Sequence, residues 1–213
     1  GPVNHLVHAQ TIRGFFQRAL GIDPRAEIAP IDWLTFPEQA LLELTRGKVF
    51  HDGLKELETL RAKFAYYPRD VWLYRLASQW QRISQEEPFV GRCGDVGDDI
   101  GSRIIASRLV HDLRRLGFLI ERAYAPYSKW FGTAFARRDC APALTPICGR
   151  ALAGAEWQER EAALCDASVI LAEKYNALGI TARVEPTITN FFGRPYRVIF
   201  AGRFAQAIRD TIA

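Results

Sequence analysis

Between residues 35 and 178 the apolar side chains recur every three to four positions, and alternation of apolar with polar residues is confined to the two ends of the chain. That period places hydrophobic groups on one stripe of a helix rather than on one face of a strand. Such stripes are buried by packing helix on helix, so the expected class is all-α, an antiparallel helical bundle with short loops. At most two short strands are expected, near residues 3–9 and 196–200, where alternation does occur; the two could pair with each other. No long linker divides the chain, which predicts a single helical domain over residues 1–213. Residues 1–10 then read as a strand left from a preceding domain or as the start of an excised piece.

Helix punctuation refines this outline. A first helix over residues 11–20 stops at Gly21, and a loop marked by Pro24 and Pro30 fills residues 22–34. Thr35-Phe36-Pro37-Glu38 has the form of a capping box for a helix ending near Thr45. Further helices are expected over residues 54–65, 69–87, 96–124, 127–137, 157–178 and 204–212. Gly91, Gly94 and Gly97 should leave the stretch after Pro88 loose, and Pro142 and Pro146 should flank a linker. The buried stripe of residues 69–87 is Leu73, Leu76, Trp80 and Ile83. That of residues 96–124 is Ile100, Ile104, Leu109, Leu116 and Leu119 or Ile120.

Charge and cysteine content narrow the function classes. A net charge of +4 is mild, and the arginine enrichment over residues 103–138 is interrupted by Asp112, Glu121 and Asp139. A nucleic-acid binder would show a denser basic stripe, so nucleic acid is not an expected partner. No apolar run reaches the roughly 20 residues of a membrane helix, and no signal peptide is read at the start. The four cysteines form no Cys-x-x-Cys pair, and Cys140 and Cys148 lie eight apart without a nearby histidine. Structural metal is therefore not expected, and reduced cysteines in a cytoplasmic protein are.

The familiar catalytic motifs fail on spacing. Gly94, Gly97 and Gly101 lack the following Lys-Ser or Lys-Thr of a phosphate loop, and close helix crossing is the simpler use of these glycines. Gly101-Ser102 with Asp112 looks like the opening of a nucleotidyltransferase signature, but position 114 is Arg and the segment is helical. His111 follows Arg108 by three residues and Arg103 by eight, neither of which fits the Arg-to-His spacing of small helical ribonucleases. No Gly-x-Ser-x-Gly elbow and no Cys-His pairing is present.

One polar constellation remains. Arg75, Gln79, Arg82 and Glu86 form a continuous helical stripe, followed by Glu87, Arg92, Asp95, Asp98, Asp99 and Arg103 around a glycine-rich bend. A solvated helix face with pairs such as Asp99–Arg103 is the plain reading. The functional reading is a concave polar pocket: Glu86 or Glu87 as general base, with Arg82, Arg92 and Arg103 holding an anion beside Asp99. Tyr127 and Lys129, in Tyr127-Ser128-Lys129-Trp130, add an auxiliary contact, unless Trp130 and Phe131 only anchor their helix in the core.

Several runs carry a family resemblance: Tyr66-Tyr67-Pro68-Arg69-Asp70-Val71-Trp72-Leu73-Tyr74, Gln79-Trp80-Gln81-Arg82-Ile83-Ser84-Gln85-Glu86-Glu87, Phe89-Val90-Gly91-Arg92, Gly101-Ser102-Arg103 and Tyr127-Ser128-Lys129-Trp130-Phe131-Gly132-Thr133. Thr11-Ile12-Arg13-Gly14-Phe15-Phe16 and Arg194-Pro195-Tyr196-Arg197-Val198 fit as well. Together they resemble a bacterial family of domains of unknown function, number 4037, over nearly the whole chain. The resemblance implies a helical domain that follows a nucleotidyltransferase-like domain, with a fold like the helical half of aminoglycoside nucleotidyltransferases. In such enzymes the other half holds nucleotide and magnesium, while the helical half shapes the acceptor site. The implied role is a helical substrate-binding domain for a small molecule, with nucleotide and magnesium only where a partner nucleotidyltransferase-like domain is present. The alternative is a free-standing helical small-molecule enzyme of specialised metabolism, or a protein-interaction module reusing the same pocket.

Overall fold

The computed structural model describes Val3 and residues 7–212, and the chain divides into two compact units between Tyr67 and Pro68, where the sequence reading expected one domain. Of the strand expected at residues 3–9, Val7, His8 and Ala9 lack regular structure, and Asn4, His5 and Leu6 lie outside the described residues.

The first unit holds α1 (Ile12–Leu20), α2 (Pro30–Thr35), α3 (Glu38–Thr45) and α4 (Glu56–Lys63). The Thr11 hydroxyl accepts the Gly14 N–H at 3.0 Å to start α1, and Gly21, at φ 75°, ends it. The expected loop over residues 22–34 contains α2 instead. Pro30 supplies a preset φ in its first turn, and the Ala29 N–H donates to the Asp32 carboxylate at 2.8 Å. Thr35 is not a cap: its hydroxyl donates back to the Asp32 carbonyl at 2.7 Å, inside the last turn of α2. The helix expected from residue 54 begins at Glu56, because the Asp52 carboxylate accepts the N–H groups of Glu56 and Glu58 at 3.2 and 2.9 Å. Arg61 bonds the carbonyls of Leu44, Thr45, Arg46 and Gly47, satisfying the end of α3. Phe16, Trp33, Phe36 and Phe64 are buried in mutual ring contact.

The second unit holds α5 (Arg69–Glu86), α6 (Phe89–Asp95), α7 (Asp99–Ile120), α8 (Ser128–Phe135), α9 (Ala141–Ala153), α10 (Trp157–Asn176), β1 (Thr189–Asn190), β2 (Arg197–Val198) and α11 (Gly202–Arg209). The fold is mostly α, as the spacing of apolar residues requires. β1 and β2 pair antiparallel, Thr189 opposite Val198 and Asn190 opposite Arg197. The strand near residues 196–200 thus exists, but its neighbour is residues 189–190 and not the N-terminal segment.

Three helix expectations change. The stretch after Pro88 is helical, because a Cβ on Gly94 would come within 2.3 Å of the Trp157 ring; glycine lets α6 lie against α10. The expected linker between Pro142 and Pro146 is part of α9. Pro142 occupies the first turn, where no N–H is required, and Pro146 in the second turn forgoes one hydrogen bond. In α7 Leu109, Leu116, Leu119 and Ile120 are buried as expected, but in the first two turns the buried positions are shifted by two. Ile100 and Ile104 are exposed, while Ser102 and Ala106 are buried with Leu109, Leu113 and Leu116. The small Ser102 and Ala106 admit close packing by α10, which bulky isoleucines would obstruct.

The stripe expected on α5 is found: Leu73, Leu76, Trp80 and Ile83 are all buried. α5 packs against α7 on one side and α11 on the other. Trp80 is stacked on Phe204 of α11, centroids 4.4 Å apart at 18°, with Tyr175 of α10 edge-on at 6.0 Å. Truncating such a ring removes its transfer energy and leaves a void. Trp80→Ala should therefore destabilise the fold by about 3–5 kcal/mol. The half-exposed Tyr74→Ala on the same helix should change it by less than about 0.5 kcal/mol. Urea denaturation compares the two, and equal effects would show that α5 does not use this face as its core.

Candidate functional site

The polar constellation around the end of α5 is held in three separate places. At the first, Arg82 Nε–H donates to Asp112 Oδ2 at 3.1 Å, and Arg82 Nη2 lies 3.6 Å from Glu86 Oε1. Arg108 donates to the same Glu86 oxygen. Gln79 Nε2 donates to Asp112 Oδ1 at 3.2 Å and to the Asp112 carbonyl at 3.1 Å. The carboxylates are enclosed, whereas the Arg82 and Arg108 side chains are 48% and 47% exposed. Glu86 Oε2 is buried with no hydrogen-bond partner. His111, the next residue before Asp112, stacks on Phe131 at 4.8 Å. Partial burial, with Arg115 nearby, lowers its pKa and favours neutral imidazole.

At the second place Glu87 turns the other way. Its carboxylate accepts the N–H groups of Ile199 at 3.1 Å and Ala201 at 3.0 Å, just ahead of α11. A cavity of about 20 Å³ adjoins it, bounded also by Glu161, Cys165, Ser168 and Arg197. That is room for about one water. Glu86, Arg92 and Arg103 do not line it. Glu161 Oε2 lies 3.4 Å from Arg197 Nε, and Oε1 is buried without a partner. Burial raises the pKa of Glu161 and pushes that of Cys165 up to about 12, so this thiol is no nucleophile.

At the third place the guanidinium of Arg160, 1% exposed, is fully used. It donates to Asp99 Oδ1 at 2.5 Å, to Ser102 Oγ at 3.0 and 3.2 Å, and to the carbonyls of Gly154 and Ala155 at 3.0 Å each. Arg103 joins the same knot through Asp99 at 2.7 Å and the Ala155 carbonyl at 3.1 Å. The two guanidinium groups hold the Asp99 pKa below its ordinary value, Arg103 contributing most.

The single pocket expected from Glu86, Glu87, Arg92 and Arg103 is therefore replaced by three clusters. Consecutive residues on a helix point about 100° apart, so Glu86 and Glu87 face different neighbours at the end of α5. A general base has to reach the proton it takes. Glu86 Oε2 is unpaired but enclosed, and both Glu87 oxygens accept backbone N–H groups, so neither residue presents an accessible, unpaired carboxylate oxygen. Asp99 and Arg103 tie α7 to the start of α10. Arg92 lies over the Phe89 ring at 4.7 Å, and Lys129 over the Trp130 ring at 5.2 Å. Tyr127, half exposed, precedes α8. Of the residues singled out, Arg82 and Glu86 are brought together. Their partners Arg108 and Asp112 went unrecognised, although their i, i+4 spacing on α7 could have indicated one face. Glu161 was missed too; its signal was a charge among the apolar positions of α10.

Residues 33–131 match the model of a Domain of unknown function (DUF4037). This stretch of the chain is similar to that family. The DUF4037 segment contains α5, α6 and α7, and with them Arg82, Glu86, Arg108 and Asp112. No curated protein and no solved structure matches the chain significantly. Among the described residues no three His, Cys, Asp or Glu side chains are grouped to hold a metal ion, and no helix is long and apolar enough to cross a membrane.

Burial pushes the Glu87 carboxyl up from its ordinary 4.5 to about 7, against the opposing pull of the N–H groups from Ala201, Ile199 and Phe200. Between these two values the folded state binds more protons at this site than the unfolded state does. Its contribution to stability is thus complete below about pH 4.5 and is lost as pH rises through about 7. Glu161, also raised, acts in the same direction. The urea midpoint should fall between pH 5 and pH 8, and Glu87→Gln should flatten that fall. Parallel wild-type and variant profiles would show that Glu87 does not titrate there.

Proposed function

We propose that this chain is a helical substrate-binding domain of a nucleotidyltransferase-like protein, and that Arg82 and Arg108 receive an anionic group of its small-molecule substrate. The observation that carries the reading is the placement of Glu86 and Asp112. Both carboxylates are enclosed, and each orients a guanidinium whose remaining N–H donors lie at the surface. A fixed guanidinium fork loses little entropy on binding a carboxylate or phosphate and can bind it through two hydrogen bonds. Neutral His111 beside the fork adds a ring without adding charge.

In this reading Glu86 is a positioning residue for Arg82 and Arg108, and nucleotide and metal chemistry belong to a partner nucleotidyltransferase-like domain. The DUF4037 match supports the family context, while the transfer role rests on the resemblance of the sequence runs described above. Arg92, Arg103 and Lys129 take no part, because each is engaged elsewhere.

Amide and arginine-side-chain NMR shifts during titration with pyrophosphate and with sugar phosphates test this. Shifts should cluster on residues 79–86 and 108–112 and weaken as salt is raised. Arg108→Ala should weaken binding about tenfold or more while moving the melting temperature by only a few degrees. Unchanged binding by Arg108→Ala, or saturable shifts only elsewhere, would remove the assignment.

A further inference from the structure

The segment between β1 and α11 carries three phenylalanines in mutual contact. Phe191 and Phe192 meet edge-on at 4.6 Å, Phe192 and Phe200 edge-on at 5.5 Å, and Phe191 and Phe200 are parallel at 6.1 Å. The cluster is not a core: Phe192 is 78% exposed. Two of the three hold left-handed backbone, Phe192 at φ 46° and Phe200 at φ 54°. A bulky residue is disfavoured in that region, where glycine would be at ease. At Phe192 the chain thus keeps an aromatic side chain, at a local cost, where it contributes little to burial.

The surroundings of the rings are basic. Arg194 follows the 3-10 turn Phe191–Gly193, its N–H donating to the Phe191 carbonyl at 3.0 Å. Arg203 Nη2 donates to the carbonyls of Ile199, adjacent to Phe200, at 2.8 Å and of Glu185 at 3.1 Å, which leaves Nε and Nη1 without a hydrogen bond among the described residues, and its charge also acts on the Glu87 carboxyl. Both arginines are exposed, and among the described residues neither forms an ion pair with a carboxylate. No guanidinium among those residues stacks on any of the three rings, so the face of Phe192 is open. The segment is anchored from below by Glu87 on Ile199 and Ala201 and by the Glu161–Arg197 pair.

An exposed ring with two exposed arginines on the same segment, neither of them in an ion pair among the described residues, matches a ligand with a flat aromatic portion and an anionic portion. We propose that Phe192, supported by Phe191 and Phe200, stacks on the base of a nucleotide unit whose phosphate is held by Arg194 and Arg203. Base stacking on an exposed aromatic side chain is tolerant of sequence, and arginine supplies phosphate contacts at its edge. The unit belongs to a free nucleotide or to the end of a single strand; the chemistry is shared. The proposal is independent of the Arg82–Arg108 site.

Amide shifts of the full chain titrated with AMP, adenosine, ribose 5-phosphate and an oligo(dA) strand test it. AMP should move residues 190–203 saturably, and adenosine or ribose 5-phosphate alone more weakly. Phe192→Gly should weaken AMP binding about tenfold, while its urea midpoint stays equal or rises because the strained backbone is relieved. Arg194→Ala should weaken AMP without weakening adenosine, and Arg108→Ala should leave the response of residues 190–203 to AMP intact. A strand that binds no tighter than AMP assigns the free nucleotide as ligand, and a much tighter one assigns the strand; either upholds the site. No saturable response of residues 190–203 to AMP or the strand, or wild-type affinity in Phe192→Gly, overturns it. An AMP response abolished by Arg108→Ala and kept by Phe192→Gly would place the nucleotide at the other site and overturn it equally.

Discussion

The C-terminal part of the second unit depends on one carboxylate. Glu87, at the end of α5, accepts the N–H groups of Ile199 and Ala201 and so fixes the start of α11. N–H groups ahead of a helix start need an acceptor, and the Glu87 carboxyl supplies it for both Ile199 and Ala201. Once α11 is fixed, Phe204 can lie on Trp80 and Tyr175 can close the edge of the pair. The same contact holds the turn that displays Phe191, Phe192 and Phe200. Core and surface feature therefore share one anchor, more than a hundred residues away in sequence from the segment it holds.

Charges elsewhere in this unit follow the same economy of partners. Arg160 is buried because five hydrogen bonds from its guanidinium tie Asp99, Ser102, Gly154 and Ala155 together. A buried guanidinium with fewer acceptors would be strongly destabilising. Glu86 and Asp112 are enclosed because Arg82 and Arg108 face them from the solvent side. The difference between the two clusters decides their roles. Arg160 has no donor left for a ligand, whereas Arg82 and Arg108 keep theirs at the surface. Of the polar residues grouped along one stretch of sequence, those of the first kind hold helices together and those of the second are available for binding.

Much of the fold was legible. Helical spacing identified α5, α7 and α10 and the buried face of α5, because those positions depend only on the 3.6-residue period. Thr11 and Gly21 marked the ends of α1 through local hydrogen bonding and local φ. The misreadings have a common origin. Pro30, Pro142 and Pro146 suggested loops, yet proline is accommodated in early helical turns. Glycines after Pro88 suggested looseness, yet Gly94 is what lets α6 approach Trp157. Both residue types weaken a helix in isolation, and tertiary packing overrode that preference.

By itself the sequence determined that the chain is mostly helical, which side chains of α5 are buried and that arginines and carboxylates crowd the end of that helix. The tertiary structure alone decided which of those charges meet. Glu86 and Glu87 are adjacent in the chain, but the rotation of about 100° between them sends one to Arg108 on α7 and the other to the backbone before α11. Ile100 and Ile104 look like core by spacing, but α10 packs against the side of Ser102 and Ala106 and leaves them outside. Periodicity identifies a face; which neighbour covers it is set by contacts distant in sequence, and no local pattern encodes those.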